Sequence, residues 1–285
     1  MSTLERIWVA YLVAVISVAL LADGGGGEGH LPWAFVGLHG VFLLAQFGIA
    51  WLQPRCSVTA MRAVRATMAL IGLPVVFSAL AWLLPDVHPE PFEYRWYALD
   101  LALFGEDASH LLADWVPASS ILPLQVAYSS FYLLPIVAAL LVAHERSGAA
   151  YDRAVVILVG GFLISYLGYL LVPTLAPKVV LPELGIPGTD GLAGVLRASI
   201  DAAEANPWDC FPSGHTWLSI TSGMLVVRWA GRYSKGFLPV VVVVVASTVI
   251  LRYHWPIDVA VGALMAWPAM RLCDWLMDRD GAPSA

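Results

Sequence analysis

The stretch FLPVVVVVVASTVILRY, Phe237 to Tyr253, decides how the rest of the chain is read. In water, the valines from Val240 to Val245 would suggest a strand, because β-branched side chains favour strands. In lipid that reading fails. A hydrocarbon core offers no water to unpaired N–H and C=O groups, so only helices and closed barrels cross it. The chain lacks the apolar–polar alternation of a barrel, and the valine run is therefore read as a transmembrane helix.

Outward from this run the same pattern recurs. A bilayer core about 30 Å thick takes about 20 apolar residues per helix. Runs that meet or approach this length lie at roughly 4–22, 31–52, 63–84, 121–143, 153–172, 213–230, 237–253 and 256–277. The expected fold is an all-α, polytopic membrane bundle of about eight transmembrane helices. Composition agrees: of 285 residues, 59% are hydrophobic and 13% charged, with mean hydropathy +0.76. A soluble domain averages about 45–50% apolar and about 25% charged residues. The formal net charge of −6 leaves no basic footprint for nucleic acid. Cys56, Cys210 and Cys273 form neither a metal-ligand spacing nor a disulfide framework. The first run is followed by acidic, glycine-rich sequence rather than a small-residue cleavage site, which predicts a retained span. No internal repeat of the transporter kind is present.

Basic residues set the expected orientation. With both termini cytoplasmic, eleven of the 15 cations fall inside: Arg6, Arg55, Arg62, Arg65, Arg146, Arg153, Arg228, Arg232, Lys235, Arg271 and Arg279. Arg95, Lys178, Arg197 and Arg252 fall outside, against the bias. Two long outer segments separate the spans. About 94–115 reads as an amphipathic helix lying in the interface, anchored by Tyr94, Trp96 and Tyr97. Residues 173–212 carry a short helical pattern in Leu192, Val195, Leu196, Ser199 and Ile200, and fit either a lid or a plain connector.

Three short stretches fall at the same, outer face. Asp209-Cys210-Phe211-Pro212-Ser213-Gly214-His215-Thr216 opens the sixth span. Pro and Ser suit a helix start, Gly permits close backbone approach, and the free amides there attract an anion. A capped helix with a core histidine fits the same residues. Arg252-Tyr253-His254-Trp255-Pro256-Ile257-Asp258 forms the hairpin between the last two spans. Pro256 suits the first helical position, which lets Asp258 reach back to His254. A carboxylate on one imidazole nitrogen leaves the other free as a nucleophile. The third stretch, Gly168 to Lys178, ends in a lysine that either binds phosphate or extends to the headgroups.

Together these stretches resemble the type 2 phosphatidic acid phosphatase superfamily, whose members share a six-helix core with a basic stretch, Pro-Ser-Gly-His and a final His-x-x-x-Asp. Leu99-Asp100 with Leu103-Phe104-Gly105, Tyr128 to Pro135, and Gly168 to Lys178 resemble the branch containing inositol phosphorylceramide synthase. The resemblance implies two added N-terminal helices over 1–62 and a core over 63–285. It implies a metal-independent lipid phosphotransferase or phosphatase with no cofactor. Its substrate would be a lipid phosphoester, with a lipid alcohol such as ceramide as a possible acceptor. A phosphohydrolase of phosphatidic acid, phosphatidylglycerol phosphate or polyprenyl diphosphate is the alternative; a transporter or scaffold is the distant one. In these roles His254 attacks phosphorus, Asp258 orients it, and His215 protonates the leaving group. Lys178, Ser213, Gly214 and Arg252 bind the phosphate. The chain departs from the family pattern at Gly185 and Thr248, where basic residues are usual. Arg252, or less directly Arg197, stands as the substitute.

Overall fold

The computed structural model describes residues 1–23, 33–87, 92–146, 148–185, 187–204 and 206–281. Leu31 and Pro32 of the expected second span lie outside them. Among the described residues there are helices and no strand, with one isolated bridge between Thr174 and Asp209. The chain opens with α1 (Thr3–Asp23), α2 (Trp33–Leu52) and α3 (Val58–Ala79). Ser57 starts α3, its hydroxyl accepting the Ala60 N–H at 3.2 Å. A single turn, α4 (Leu84–Val87), then leads to α5 (Glu93–Phe104) and α6 (Ala108–Asp114).

The single interfacial helix expected over about 94–115 is thus two. Gly105 takes a left-handed φ of 81° and closes α5, its N–H bonding to the Leu101 carbonyl. Asp107 then accepts the His110 N–H at 2.7 Å and starts α6.

Next come α7 (Ile121–Ser130) and α8 (Leu134–Glu145), two parts of one apolar rod. A 3₁₀ turn at Phe131–Leu133 separates them. Pro135 supplies the cause, since it has no N–H to return to the carbonyl four residues earlier. α9 (Gly148–Leu171) is followed by a long connection with α10 (Pro177–Val180) and α11 (Gly191–Ala203). The chain ends in α12 (Gly214–Trp229), α13 (Ser234–Ile250) and α14 (Pro256–Arg279). The valine run lies within α13, as helix.

Among the described residues, six of the rods are long and apolar enough to cross a bilayer: 3–22, 33–55, 58–82, 118–145, 148–171 and 231–250. The protein is an integral membrane protein. The two other expected spans are α12 and α14. At 16 residues, α12 is about 24 Å long, short of the bilayer core. It occupies the centre of the bundle against α8, α9, α13 and α14. Its buried Thr216, Ser219, Thr221 and Ser222 face protein rather than lipid. α14 carries Asp258 and Asp274 inward. α1 packs on α9 as well as on α2.

The short helical pattern expected after α9 is α11. Ala193, Arg197 and Ile200 point inward, while Leu192 and Val195 are exposed. Arg197 goes in because it donates to the Leu251 carbonyl at 2.9 Å and lies over the Tyr253 ring.

Candidate active site

Backbone hydrogen bonds stitch the three sequence stretches together. The Lys178 N–H donates to the Arg252 carbonyl at 3.1 Å, and the Ser213 N–H to the Asp258 carbonyl at 3.0 Å. The Cys210 N–H reaches the Thr174 carbonyl at 3.2 Å. The Trp255 indole donates to the Leu175 carbonyl at 2.9 Å. The ends of α9 and α13 and the starts of α12 and α14 therefore meet at one end of the bundle.

His254 sits in the turn before α14, fully enclosed. Its Nε2 lies 3.3 Å from His215 Nδ1, in the first turn of α12. Its Nδ1 lies 3.1 Å from the Cys210 carbonyl and 3.6 Å from Asp258 Oδ2. The same Oδ2 accepts the Trp255 N–H at 2.9 Å, so Asp258 caps its own helix while facing the imidazole. Burial, with the neighbouring His215, pushes the His254 imidazole down to about 3. At neutral pH it is uncharged and carries a lone pair, the form a nucleophile requires.

Beside the pair lies a cavity of about 330 Å³, lined in part by Lys178, Glu204, Asn206, Asp209, Tyr253 and His254. Lys178 Nζ reaches it 3.8 Å from the Tyr253 ring centre and 2.5 Å from Asp201 Oδ1. Tyr253 stacks on Tyr128 at 3.9 Å, and Tyr128 in turn on His215 at 4.5 Å. Arg197 lies over the same tyrosine at 4.6 Å. Lys178 and Arg197 are thus both gathered on Tyr253, the residue before His254.

The other expected phosphate ligands are placed differently. Arg252 adopts a left-handed φ of 63°, and its side chain leaves the cavity. It donates to the Gly185 carbonyl and to Ser109 Oγ, with Asp107 3.9 Å away. The Ser213 hydroxyl is occupied within α12, accepting the Thr216 N–H and donating to Thr216 Oγ1. Gly214 answers a packing need: a Cβ there would meet Tyr169 Oη at 2.5 Å.

Two carboxylates stand at the cavity that sequence reasoning did not single out. Glu204 lies 3.2 Å from His215 Nε2. Asp209, within a quoted stretch but given no role, is pushed well above the ordinary range by burial and by Glu204. Among the described residues, Cys210, His254 and Asp258 bring one potential metal-ligating atom each within 4.8 Å of one another. The Cys210 thiol, however, donates to the Tyr253 carbonyl at 3.2 Å, and burial pushes its pKa well up. A protonated thiol is a poor ligand.

A membrane helix bundle that brings a neutral imidazole, a second imidazole and a lysine to one cavity has the parts for nucleophilic and acid–base chemistry on an anion. The chain belongs to the PAP2 superfamily, whose family model matches residues 97–272 and so spans all three stretches. The protein is an enzyme of the phosphatase and phosphotransferase type found in that superfamily. Neither the curated proteins nor the solved structures compared with it gave a match.

Proposed function

We propose that the protein takes a lipid phosphoester, forms a phosphohistidine on His254, and hands the phospho-group to a second lipid alcohol. The observation carrying this reading is the contact of His254 Nε2 with His215 Nδ1 at 3.3 Å, with a carboxylate behind the first ring. A neutral nucleophile and an acid–base partner are then within reach of one phosphorus. The phosphoryl group must enter between the two nitrogens, so the rings separate when substrate binds. Lys178, with Arg197 behind it, offsets charge on the phosphoryl oxygens.

Lipid substrates fit the surroundings of the cavity, because Val179, Leu192 and Val195 are exposed on the segment after α9 and Leu171 at the end of α9. Transfer to an alcohol such as ceramide, rather than to water, is favoured by the branch resemblance at Leu99–Gly105 and Tyr128–Pro135. Hydrolysis by the same intermediate is the second reading, since water needs no further residue. In the proposed orientation the cavity opens extracytoplasmically, with both termini inside and residues 1–62 as an addition to the core. Cysteine labelling of intact cells should then mark a cysteine placed at Ser199 and spare native Cys56.

The test incubates purified protein with labelled lipid phosphoesters, with and without a lipid alcohol. A new phospholipid, formed undiminished in EDTA, is the expected product. Free phosphate or released headgroup alone would replace transfer by hydrolysis. Loss in EDTA with recovery on adding a divalent ion would overturn the metal-free mechanism.

A further inference from the structure

The second imidazole also has a carboxylate of its own. Glu204 caps the end of α11, where its N–H bonds to the Ile200 carbonyl at 2.8 Å. Its Oε1 lies 3.2 Å from His215 Nε2, accepts from the Tyr132 hydroxyl at 2.5 Å, and receives a longer bond from Tyr128 at 3.4 Å. Tyr128 and Phe131 cover the His215 ring at 4.5 and 4.2 Å. A carboxylate withdrawn this far from water needs a matching charge, and the imidazole supplies it. The two histidines are thus flanked alike: Asp258 behind His254, Glu204 behind His215.

Resting on the phosphohistidine reading above, we propose that Glu204 is the positioning residue of the general acid. It holds His215 protonated, with Nε2–H on the carboxylate and Nδ1–H turned toward the leaving oxygen. As His254 Nε2 bonds to phosphorus, the P–O bond to the leaving group breaks. Its electron pair stays on that oxygen, which takes the Nδ1 proton. His215 is left neutral, keeping its Nε2 proton beside the ionised Glu204. In the second half-reaction the acceptor hydroxyl returns a proton to Nδ1 while its oxygen displaces His254 from phosphorus.

The other groups facing this pair are His254 and Tyr253 from the turn before α14, Tyr128 and Tyr132 from the α7–α8 rod, Lys178 from α10, and Asp209. Burial raises the Glu204 carboxyl, but the adjacent His215, with Tyr132 and Lys178, leaves it below its usual range. Asp209, its carboxyl pushed well up by burial and by Glu204, lines the same cavity, but it is Glu204 that lies 3.2 Å from His215 Nε2.

The test compares full-length wild type, Glu204→Gln and Glu204→Asp in detergent. Each is given a lipid phosphoester with an alkyl leaving group and a nitrophenyl ester of the same headgroup. The Gln variant keeps an oxygen for Tyr132 and loses the charge. Its kcat/KM should fall on the order of 10-fold or more on the alkyl substrate, yet by less than about 3-fold on the nitrophenyl ester, which needs no proton. With the anion gone the leaving-group proton is held less firmly, so the high-pH limb of the alkyl profile should move to lower pH. The Asp variant should show the same changes at smaller size, and it decides the matter alone if the Gln protein fails to fold. Equal losses on both substrates, or an unmoved limb, would overturn the proposal. Failure of the underlying reading looks different: wild type itself would give no base-stable phosphoenzyme.

Discussion

Asp274, at one end of the bundle, and Glu204, at the other, are both carboxylates withdrawn from water, and they have opposite kinds of partner. Asp274 accepts from Arg153 at 3.3 Å and from Arg228 at 2.6 Å, tying α9 and α12 to α14. Arg153 also reaches Asp278, Arg65 pairs with Glu5 at 2.8 Å, and Arg232 pairs with Glu145 at 2.5 Å. Glu204 faces an imidazole and two phenols instead. A guanidinium keeps its proton throughout the accessible pH range, so the Asp274 end is a fixed clamp. An imidazole can both give and take a proton, so in the proposed mechanism the Glu204 end moves one. Burial alone does not separate structural from reactive charge here; the acidity of the partner does.

The largest expected effect tests the reactive end. His254→Ala should bring turnover to background with every leaving group and abolish the trapped phosphoenzyme. His215→Ala should lose about 10²–10⁴ on alkyl phosphoesters while sparing a nitrophenyl ester. Label recovered on His215 by peptide mapping would reverse the two roles and with them the comparison.

The clamp should break in a different way. Asp274→Asn leaves Arg153 and Arg228 without their shared anion. Opening a buried pair costs on the order of 3 kcal/mol, so the detergent melting temperature should fall. Per folded molecule, the alkyl-to-nitrophenyl rate ratio and the pH limbs should stay where they are. A shifted pH limb in Asp274→Asn would show that the two ends are coupled and that the division drawn here is false.

How far the sequence shows this arrangement differs by region. The rods are legible because lipid leaves the backbone one choice, and even Val240–Val245 yields to it. The break at Gly105 had a visible cause in a glycine followed by Asp107, a capping residue, yet the aromatic run before it suggested one continuous helix. His215, His254 and Asp258 are legible through the superfamily resemblance of their stretches, to which a cap, a proline and a four-residue reach add local geometry, and the structure brings the three side chains together. Glu204 carries no such mark. It lies in the connection between α9 and α12, and a search for cations that break the charge bias passes over an anion whose neighbour is a histidine. The direction of Arg252 was hidden too, since its left-handed backbone reverses the side chain that linear spacing aimed at the phosphate.

That placement supplies the smallest and most discriminating expectation, between two cations at the cavity end of the bundle. Lys178 lines the cavity beside His254, whereas Arg252 is spent on Gly185, Ser109 and Asp107, joining α6 to the turn before α14. A charge-assisted contact to a ligand is worth about 1.5–3 kcal/mol. Lys178→Gln should therefore raise KM for a lipid phosphoester by about 10-fold or somewhat more, with a smaller change in kcat. Arg252→Gln should lower the melting temperature, because Asp107 loses its cation, and leave KM within about 2-fold. Steady-state kinetics on both variants, normalised to folded protein, would decide it. If Arg252→Gln raises KM as much as Lys178→Gln does, the guanidinium turns inward when substrate binds, and the phosphate site is the one the linear motif describes.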